Sequence, residues 1–177
     1  MNFSNETQVR RIVKDWLERQ GIKAREGVVI TSDGGNRIEV DILSRGPDIF
    51  NRRGGISIYA IEVKLAYTRL LAVDAAQEAI LRLSIADYVL IAAPKEVEIW
   101  TSGKEKARVQ PPELLRRVLQ GRYGRKIGIL AVSNDDVEIV RKPQRSSMAI
   151  AKSKAMEVFQ ENQGNILNYI TKTNKSR

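Results

Sequence analysis

The chain has 177 residues, with 30 Lys and Arg against 21 Asp and Glu, a formal net charge of +9, and neither histidine nor cysteine. That length suits one core-bearing domain with elaborations, and the positive balance favours a polyanionic partner such as DNA, RNA or an anionic membrane surface. Lack of cysteine excludes a disulfide framework and thiolate zinc sites, and lack of histidine excludes His-based triads, His-metal nucleases and histidine general-base ribonucleases.

The first predicted element is a helix over Asn5 to Gln20. Val9, Val13, Trp16 and Leu17 form an apolar stripe with Ile12 at its edge. Asn5 is placed to cap it and Gln8 to complete a capping box. Glu6 falls on the line of Val13 and Leu17, where it either suits the positive end of the helix dipole or reaches a site. Val28 to Thr31 and Arg37 to Ser44 then read as strands around the turn-rich Asp33-Gly34-Gly35-Asn36, a hairpin signal. In the second strand, Ile38, Val40 and Ile42 alternate with Glu39, Asp41 and Leu43. The loop Gly46 to Gly55 carries Arg52-Arg53-Gly54-Gly55, a basic tip that is either a phosphate contact or an ordinary solvated loop.

Ile56 to Leu65 is the most informative segment. A strand here puts Ile58, Ala60, Glu62 and Lys64 on one face and Tyr59, Ile61, Val63 and Leu65 on the other. A strand apolar on both faces is normally buried, and a buried charge is costly unless it is paired or meets a metal. If this strand pairs with the preceding one, Asp41 comes beside Glu62 and Lys64. Two carboxylates and a lysine suit phosphodiester hydrolysis with a hard cation: oxygen ligands fit Mg²⁺, and the ammonium can stabilise developing negative charge. With histidine and cysteine absent, this is the hydrolytic chemistry the composition leaves open.

Asp41 followed on the next strand by Glu62-Val63-Lys64 resembles the PD-(D/E)XK nuclease superfamily, in particular archaeal Holliday-junction resolvases and RecB-like nucleases. The resemblance spans Asn5 to Pro94. It implies that Asp41, Glu62 and the Val63 carbonyl ligate Mg²⁺, with Mn²⁺ substituting, and that Lys64 is catalytic. It also implies an acidic residue from the first helix near the metal, for which Glu6 is the candidate. A glutamine on the following helix would orient the water or the phosphate, and Gln77 stands there among Ala75, Ala76 and Ala79. Val40 replaces the proline usual before the aspartate, and Leu81 stands where the RecB-type pattern has a tyrosine.

Further on, Val73 to Leu83 reads as a helix, and Asp87 to Pro94 as a buried strand ending at proline. The predicted order is thus α-β-β-β-α-β, an α/β fold with a mixed sheet. The resemblance makes this a restriction-endonuclease-like core. Glu96 to Trp100 reads as a short helix or strand, and Glu113 to Leu119 as a helix opened by Pro111-Pro112. Lys126 to Ser133 and Val137 to Lys142 are two more strands.

Charge is uneven: residues 1–94 hold 13 Lys and Arg against 12 Asp and Glu, whereas residues 95–177 hold 17 against 9. The second half is therefore expected to hold the phosphate backbone. Arg116, Arg117, Arg122, Arg125 and Lys126, with Tyr123 among them, form its main cluster; they either clamp phosphates or complement a helix C-terminus. Ser146 to Ile170 looks helical and either docks on the domain or forms a dimer contact. The expected organisation is one nuclease-like domain over 1–145 (core 5–94, basic extension 95–145) and a helical tail over 146–177. No apolar run could span a bilayer and no signal peptide is apparent, so a cytoplasmic protein is expected. The expected activity is metal-dependent DNA cleavage, an endonuclease on branched or structured DNA in repair, recombination or processing; the alternative is a non-catalytic nucleic-acid-binding module.

Overall fold

The computed structural model describes residue 3 and residues 5–31, 35–51, 54–101, 103 and 105–160. Its first helix, α1 (Glu6–Arg19), starts where Asn5 accepts a hydrogen bond from the Gln8 amide at 3.1 Å. It stops at Gly21, whose φ of +74° supplies the left-handed turn. The Ile22 amide then reaches back to the Leu17 carbonyl at 3.0 Å, satisfying an orphaned acceptor of the last turn. The buried residues of α1 are Val9, Val13, Trp16 and Leu17, the stripe read from the sequence.

Three antiparallel strands follow: β1 (Lys23–Thr31), β2 (Arg37–Pro47) and β3 (Ile56–Val63). α2 (Arg69–Arg82), capped by Thr68, crosses over to β4 (Tyr88–Pro94), which lies parallel to β3. The expected order of these six elements is observed. A small ribbon, β5 (Val97–Trp100) and β6 (Lys106–Val109), comes next, then α3 (Pro111–Val118) and a single 3-10 turn at Gly124–Lys126. β7 (Gly128–Val132) runs parallel to β4, β8 (Val137–Arg141) antiparallel to β7, and α4 (Lys152–Glu157) closes the described chain.

The six main strands form one mixed sheet in the order β1-β2-β3-β4-β7-β8, and β5-β6 is a separate two-stranded sheet. The sheet therefore continues past Pro94 through β7 and β8, with β4 and β7 hydrogen-bonded neighbours. One side of the sheet buries Ile58, Ala60, Val89, Ile91 and Ile129 beneath Ala72, Ala75 and Ala79 of α2, Leu115 of α3 and Ala155 of α4. The other buries Tyr59, Ile61, Val63, Leu90 and Leu130 beneath the stripe of α1. The two faces predicted for β3 thus separate into two core layers. Alanines on α2 let that helix approach the sheet closely, because no longer side chain intervenes.

Several elements differ from expectation. Of the stretch read as helix from Ser146, only α4 is helical among the described residues, because residues 146–151 are held instead by contacts of Ser146 and Ala151 with the loop around Ser84 and Asp87. β1 begins at Lys23 rather than Val28, because its first residues are an edge strand whose mostly exposed side chains carry no apolar alternation. α2 begins at Arg69 rather than Val73, since Thr68 supplies the cap: its hydroxyl accepts from the Leu71 amide at 3.3 Å. The apolar phase of β2 also slips by one residue. Ile38 and Val40 pack on the α2 side, Ile42 on the α1 side and Leu43 on the α2 side again, with Asp41 at the break. β1 slips opposite, at Gly27 with φ +59°: Val28 faces α2, while Glu26 pairs with Lys14 of α1 at 3.4 Å.

At the N-terminal ends of β3 and β4 a buried polar network ties in the later chain. Asp87 accepts from the Ile58 amide at 2.9 Å and pairs with Arg145 at 3.0 Å and Lys152 at 2.5 Å. Asp48 accepts from the Tyr88 hydroxyl at 2.9 Å. The first part of the tail thus docks on the domain through Lys152 and buried Ala155. Ile166, Leu167 and Ile170 lie outside the described residues, as does the Gly164 break. Among the described residues, no helix is long and apolar enough to cross a membrane.

Candidate functional site

β2 and β3 part company at one point, and the candidate site lies in the gap. Their ladder runs from Pro47 opposite Ile56 to Ile42 opposite Ile61 and goes no further. Beyond it the Val63 amide has lost its strand partner on that side. The Asp41 carboxylate substitutes: Oδ2 accepts from the Val63 amide at 2.8 Å, and Oδ1 accepts from Arg10 of α1 at 2.6 Å. The slip in β2 is what frees Asp41 to turn into the gap, so backbone irregularity and carboxylate placement are one feature.

Glu62, the next residue back on β3, is 1% exposed. Its Oε1 lies 3.3 Å from Lys64 Nζ and its Oε2 lies 2.7 Å from Arg82 Nη2 of α2. Lys64 also meets Glu78 of α2 at 3.2 Å. Arg82 is fixed from its own helix, donating Nη1 to the Glu78 carbonyl. A cleft of about 340 Å³ is lined by Arg37, Glu39, Asp41, Glu62, Lys64, Glu78 and Arg82, with Ile38 and Leu81 at its walls.

Electrostatically the cluster is tense. Burial pushes the Glu62 carboxyl up to about 9, contact with Glu78 adds to the rise, Arg82 opposes it and the nearby Asp41 charge adds again. Glu78 moves the other way: its contact with Glu62 holds it below the usual carboxylate range, aided by Lys64 and Arg82. The more exposed carboxyl of the two therefore keeps its charge, as desolvation requires. For Lys64, burial pulls the ammonium down, but Glu62 and Glu78 outweigh it and hold it protonated above the ordinary range. Lys64 is thus a fixed cation at neutral pH, suited to charge stabilisation rather than proton abstraction.

The donor set suits a hard cation in kind. Asp41, Glu62 and Glu78 offer carboxylate oxygens only, and Glu62 Oε2 is buried without a hydrogen-bond donor of acceptable geometry. Within the described residues, however, no three acidic groups converge closely enough to form a ready cage. Arg10, Lys64 and Arg82 stand against these carboxylates instead.

The other candidates disperse. Glu6, the first residue of α1, is partly exposed, and α1 sends a cation, Arg10, to Asp41 rather than an acid. Gln77 is exposed and does not line the cleft; Glu78, one residue on, does, because a helix turns about 100° per residue. Glu78, Arg82 and Arg10 were missed by the sequence reading. A signal existed: Glu78 and Arg82 are four apart, one turn, on the helix that follows Lys64.

Arg116 and Arg117 are exposed on the last turn of α3, Arg116 pairing with Glu113 at 3.3 Å. Arg122 lies 5.8 Å from the Tyr123 ring, Arg125 donates to the Gln120 carbonyl at 3.0 Å, and Lys126 to Ser147 at 3.2 Å. All sit where the chain enters β7, and β3, β4 and β7 run parallel. Across the ladder Glu62 is level with Ile91 and Ile129, one residue past the start of β7 and two strands away, and none of these basic residues lines the cleft. Arg52 and Arg53 lie outside the described residues.

No protein-family model matches the chain, and no curated protein matches it. Among solved structures it is similar to a protein of unknown function from Silicibacter pomeroyi, at 17% identity and a TM-score of 0.54, over 97% of this chain and 94% of that one. The similarity is one of fold.

Proposed function

We propose that the protein is a divalent-metal-dependent DNA nuclease of the PD-(D/E)XK type on a restriction-endonuclease-like core, acting as an endonuclease on branched or structured DNA. The observation that carries this reading is the meeting of Asp41, Glu62 and Lys64 at the split between β2 and β3. Oxygen donors of that kind suit Mg²⁺ or Mn²⁺, with Asp41, Glu62 and the Val63 carbonyl as the holding groups. Bound there, the ion would acidify a water and neutralise charge on the scissile phosphate.

The chain's own residues do the rest. The Val63 amide and Arg10 orient Asp41, fixing both its oxygens. Arg82 anchors Glu62 from α2. Lys64, held protonated, faces the negative charge that develops on a phosphoryl group in the cleft. Glu78 keeps Lys64 on station.

A second reading has its own support. Arg10, Lys64 and Arg82 already pair with Asp41, Glu62 and Glu78, so a non-catalytic nucleic-acid-binding module on the same fold would leave this constellation as a structural polar cluster. The test is cleavage of labelled single-stranded, duplex, flap and four-way-junction DNA with Mg²⁺ or Mn²⁺. Cutting that needs metal and disappears in Glu62→Ala and Lys64→Ala supports the nuclease, and the preferred DNA names the subclass. Metal-indifferent binding without cutting by the unmodified protein supports the module.

A further inference from the structure

The ribbon β5-β6 carries an indole that folding does not explain. Its register pairs Val97 with Val109, Glu98 with Arg108, Ile99 with Ala107 and Trp100 with Lys106. Strand alternation therefore gathers Val97, Ile99, Ala107 and Val109 on one face and Glu98, Trp100, Lys106 and Arg108 on the other. The first face is turned inward: Val97 is buried and its three companions are half-buried. Trp100 stands on the outer face at 69% exposure, whereas the other tryptophan, Trp16, is 9% exposed in the core. A large aromatic left in water forgoes the burial that normally justifies it.

Cations flank that ring. Lys106 Nζ lies 5.5 Å from the indole centroid and 3.4 Å from Glu98. Arg108 meets Glu96 at 3.5 Å. These ion pairs are solvent-exposed, so each is worth little and its cation can exchange a carboxylate for a phosphate at small cost. An aromatic face with exchangeable cations beside it matches a nucleic-acid strand, whose bases stack while its phosphates pair.

Position supports the same occupant. Val63 lies opposite Ala92 in the parallel ladder, and β5 begins just beyond the end of β4. The ribbon therefore springs from the end of the sheet at which β3 gives way to Lys64. A cavity of about 480 Å³ lies at its base, bounded by Phe3, Arg108, Ser133 and Asn134.

We propose that the outer face of β5-β6, with Trp100 as a stacking platform and Lys106 and Arg108 as phosphate contacts, binds unpaired nucleotides of DNA beside the candidate site. This rests on the nuclease reading and sharpens it: the substrate carries a single-stranded segment next to the bond cut.

The experiment is binding in EDTA, where no cleavage occurs, followed by indole fluorescence and by anisotropy of labelled DNA. Oligothymidylate should quench the exposed indole. Trp100→Ala should weaken single-strand binding about tenfold while blunt duplex binding changes less than about twofold. Lys106→Gln with Arg108→Gln should flatten the salt dependence of binding by up to about two ions. No quenching, or equal losses for duplex and single strand in Trp100→Ala, overturns the proposal. So does a Trp100-dependent dimer in sedimentation without quenching, which would make the face a self-association surface. Intact ribbon binding by a protein that cuts nothing sinks only the nuclease reading; normal cutting with a silent ribbon sinks only this one.

Discussion

Arg82 Nη2 and Glu62 Oε2 lie 2.7 Å apart with their side chains 8% and 2% exposed, so the helix after β3 holds the deepest carboxylate of the site. Where Glu62 is ionised, removing Arg82 leaves a buried carboxylate uncompensated. Arg82→Ala should therefore cost about 3–5 kcal/mol in urea unfolding above about pH 9 and less at neutral pH, and Arg82→Leu with Glu62→Leu together much less. A double-mutant cycle giving coupling below about 1 kcal/mol would mean water already screens the pair.

The raised Glu62 carboxyl makes stability depend on pH. Because its folded value lies above the unfolded 4.5, the stabilisation is fully present below about pH 4.5 and is lost as pH climbs toward about 9. Glu62→Gln should therefore gain on the unmodified protein between pH 5 and pH 9, by about 2 kcal/mol once the opposite shift of Glu78 is allowed for. Denaturation midpoints at pH 5, 7 and 9 measure it; a constant gap across that range would contradict the assignment.

Asp41 has two duties that substitution can separate. Asparagine still accepts from the Val63 amide but cannot neutralise Arg10; alanine does neither. Asp41→Asn should stay within about 1 kcal/mol of the unmodified protein, and Asp41→Ala should lose about 1–3 kcal/mol by orphaning a backbone amide. Under the nuclease reading both should lose DNA cleavage. Equal stabilities would show that the Val63 contact contributes little.

Lys64→Ala removes a partly exposed ammonium with two carboxylate neighbours. Its stability cost should be below about 1 kcal/mol, discounted for screening by solvent. Its cleavage rate should fall at least about a hundredfold if the ammonium faces the transition state. Single-turnover kinetics on the preferred DNA separates this from a binding defect.

Gly46 has ordinary backbone angles but no room. A Cβ there would lie 2.7 Å from the Ile22 Cα, a backbone atom that cannot swing aside. Gly46→Ala should cost about 1–3 kcal/mol through displacement of the turn between α1 and β1. Thermal unfolding within a degree or two of the unmodified protein would show that the turn yields easily.

Local signals carried most of the architecture. The α1 stripe and its Asn5 cap, the two faces of β3 and the buried β4 were legible because each depends on neighbours in sequence. Strand parity put Glu62 and Lys64 on one face of β3, but Asp41 joins them through the slip in β2, which local alternation does not show. What escaped depends on long-range placement. Arg10 and Arg82 arrive at the site from helices 31 and 20 positions away in sequence from their carboxylates, and nothing local marks a surface arginine as one that will fold inward. Gln77 and Glu78 differ by one helical step, finer than periodicity resolves without the helix's start. The Arg116–Lys126 cluster, read as a phosphate clamp or as a complement to a helix C-terminus, sits at the end of α3 and before β7 and lines no part of the cleft.

The slip at Asp41 divides the β1-β2 hairpin into two reading frames. The tip is registered to α2 through Val28, Ile38 and Val40, and the base to α1 through Ile42. Inserting or deleting one residue between Arg37 and Val40 would not merely change the length of a surface hairpin. It would turn the tip's apolar side chains to water and leave the base in place. The spacing from Arg37 to the carboxylate is thus constrained as a core side chain is, and surviving variants of this chain should change length between Thr31 and Arg37 and keep the count from Arg37 to Asp41.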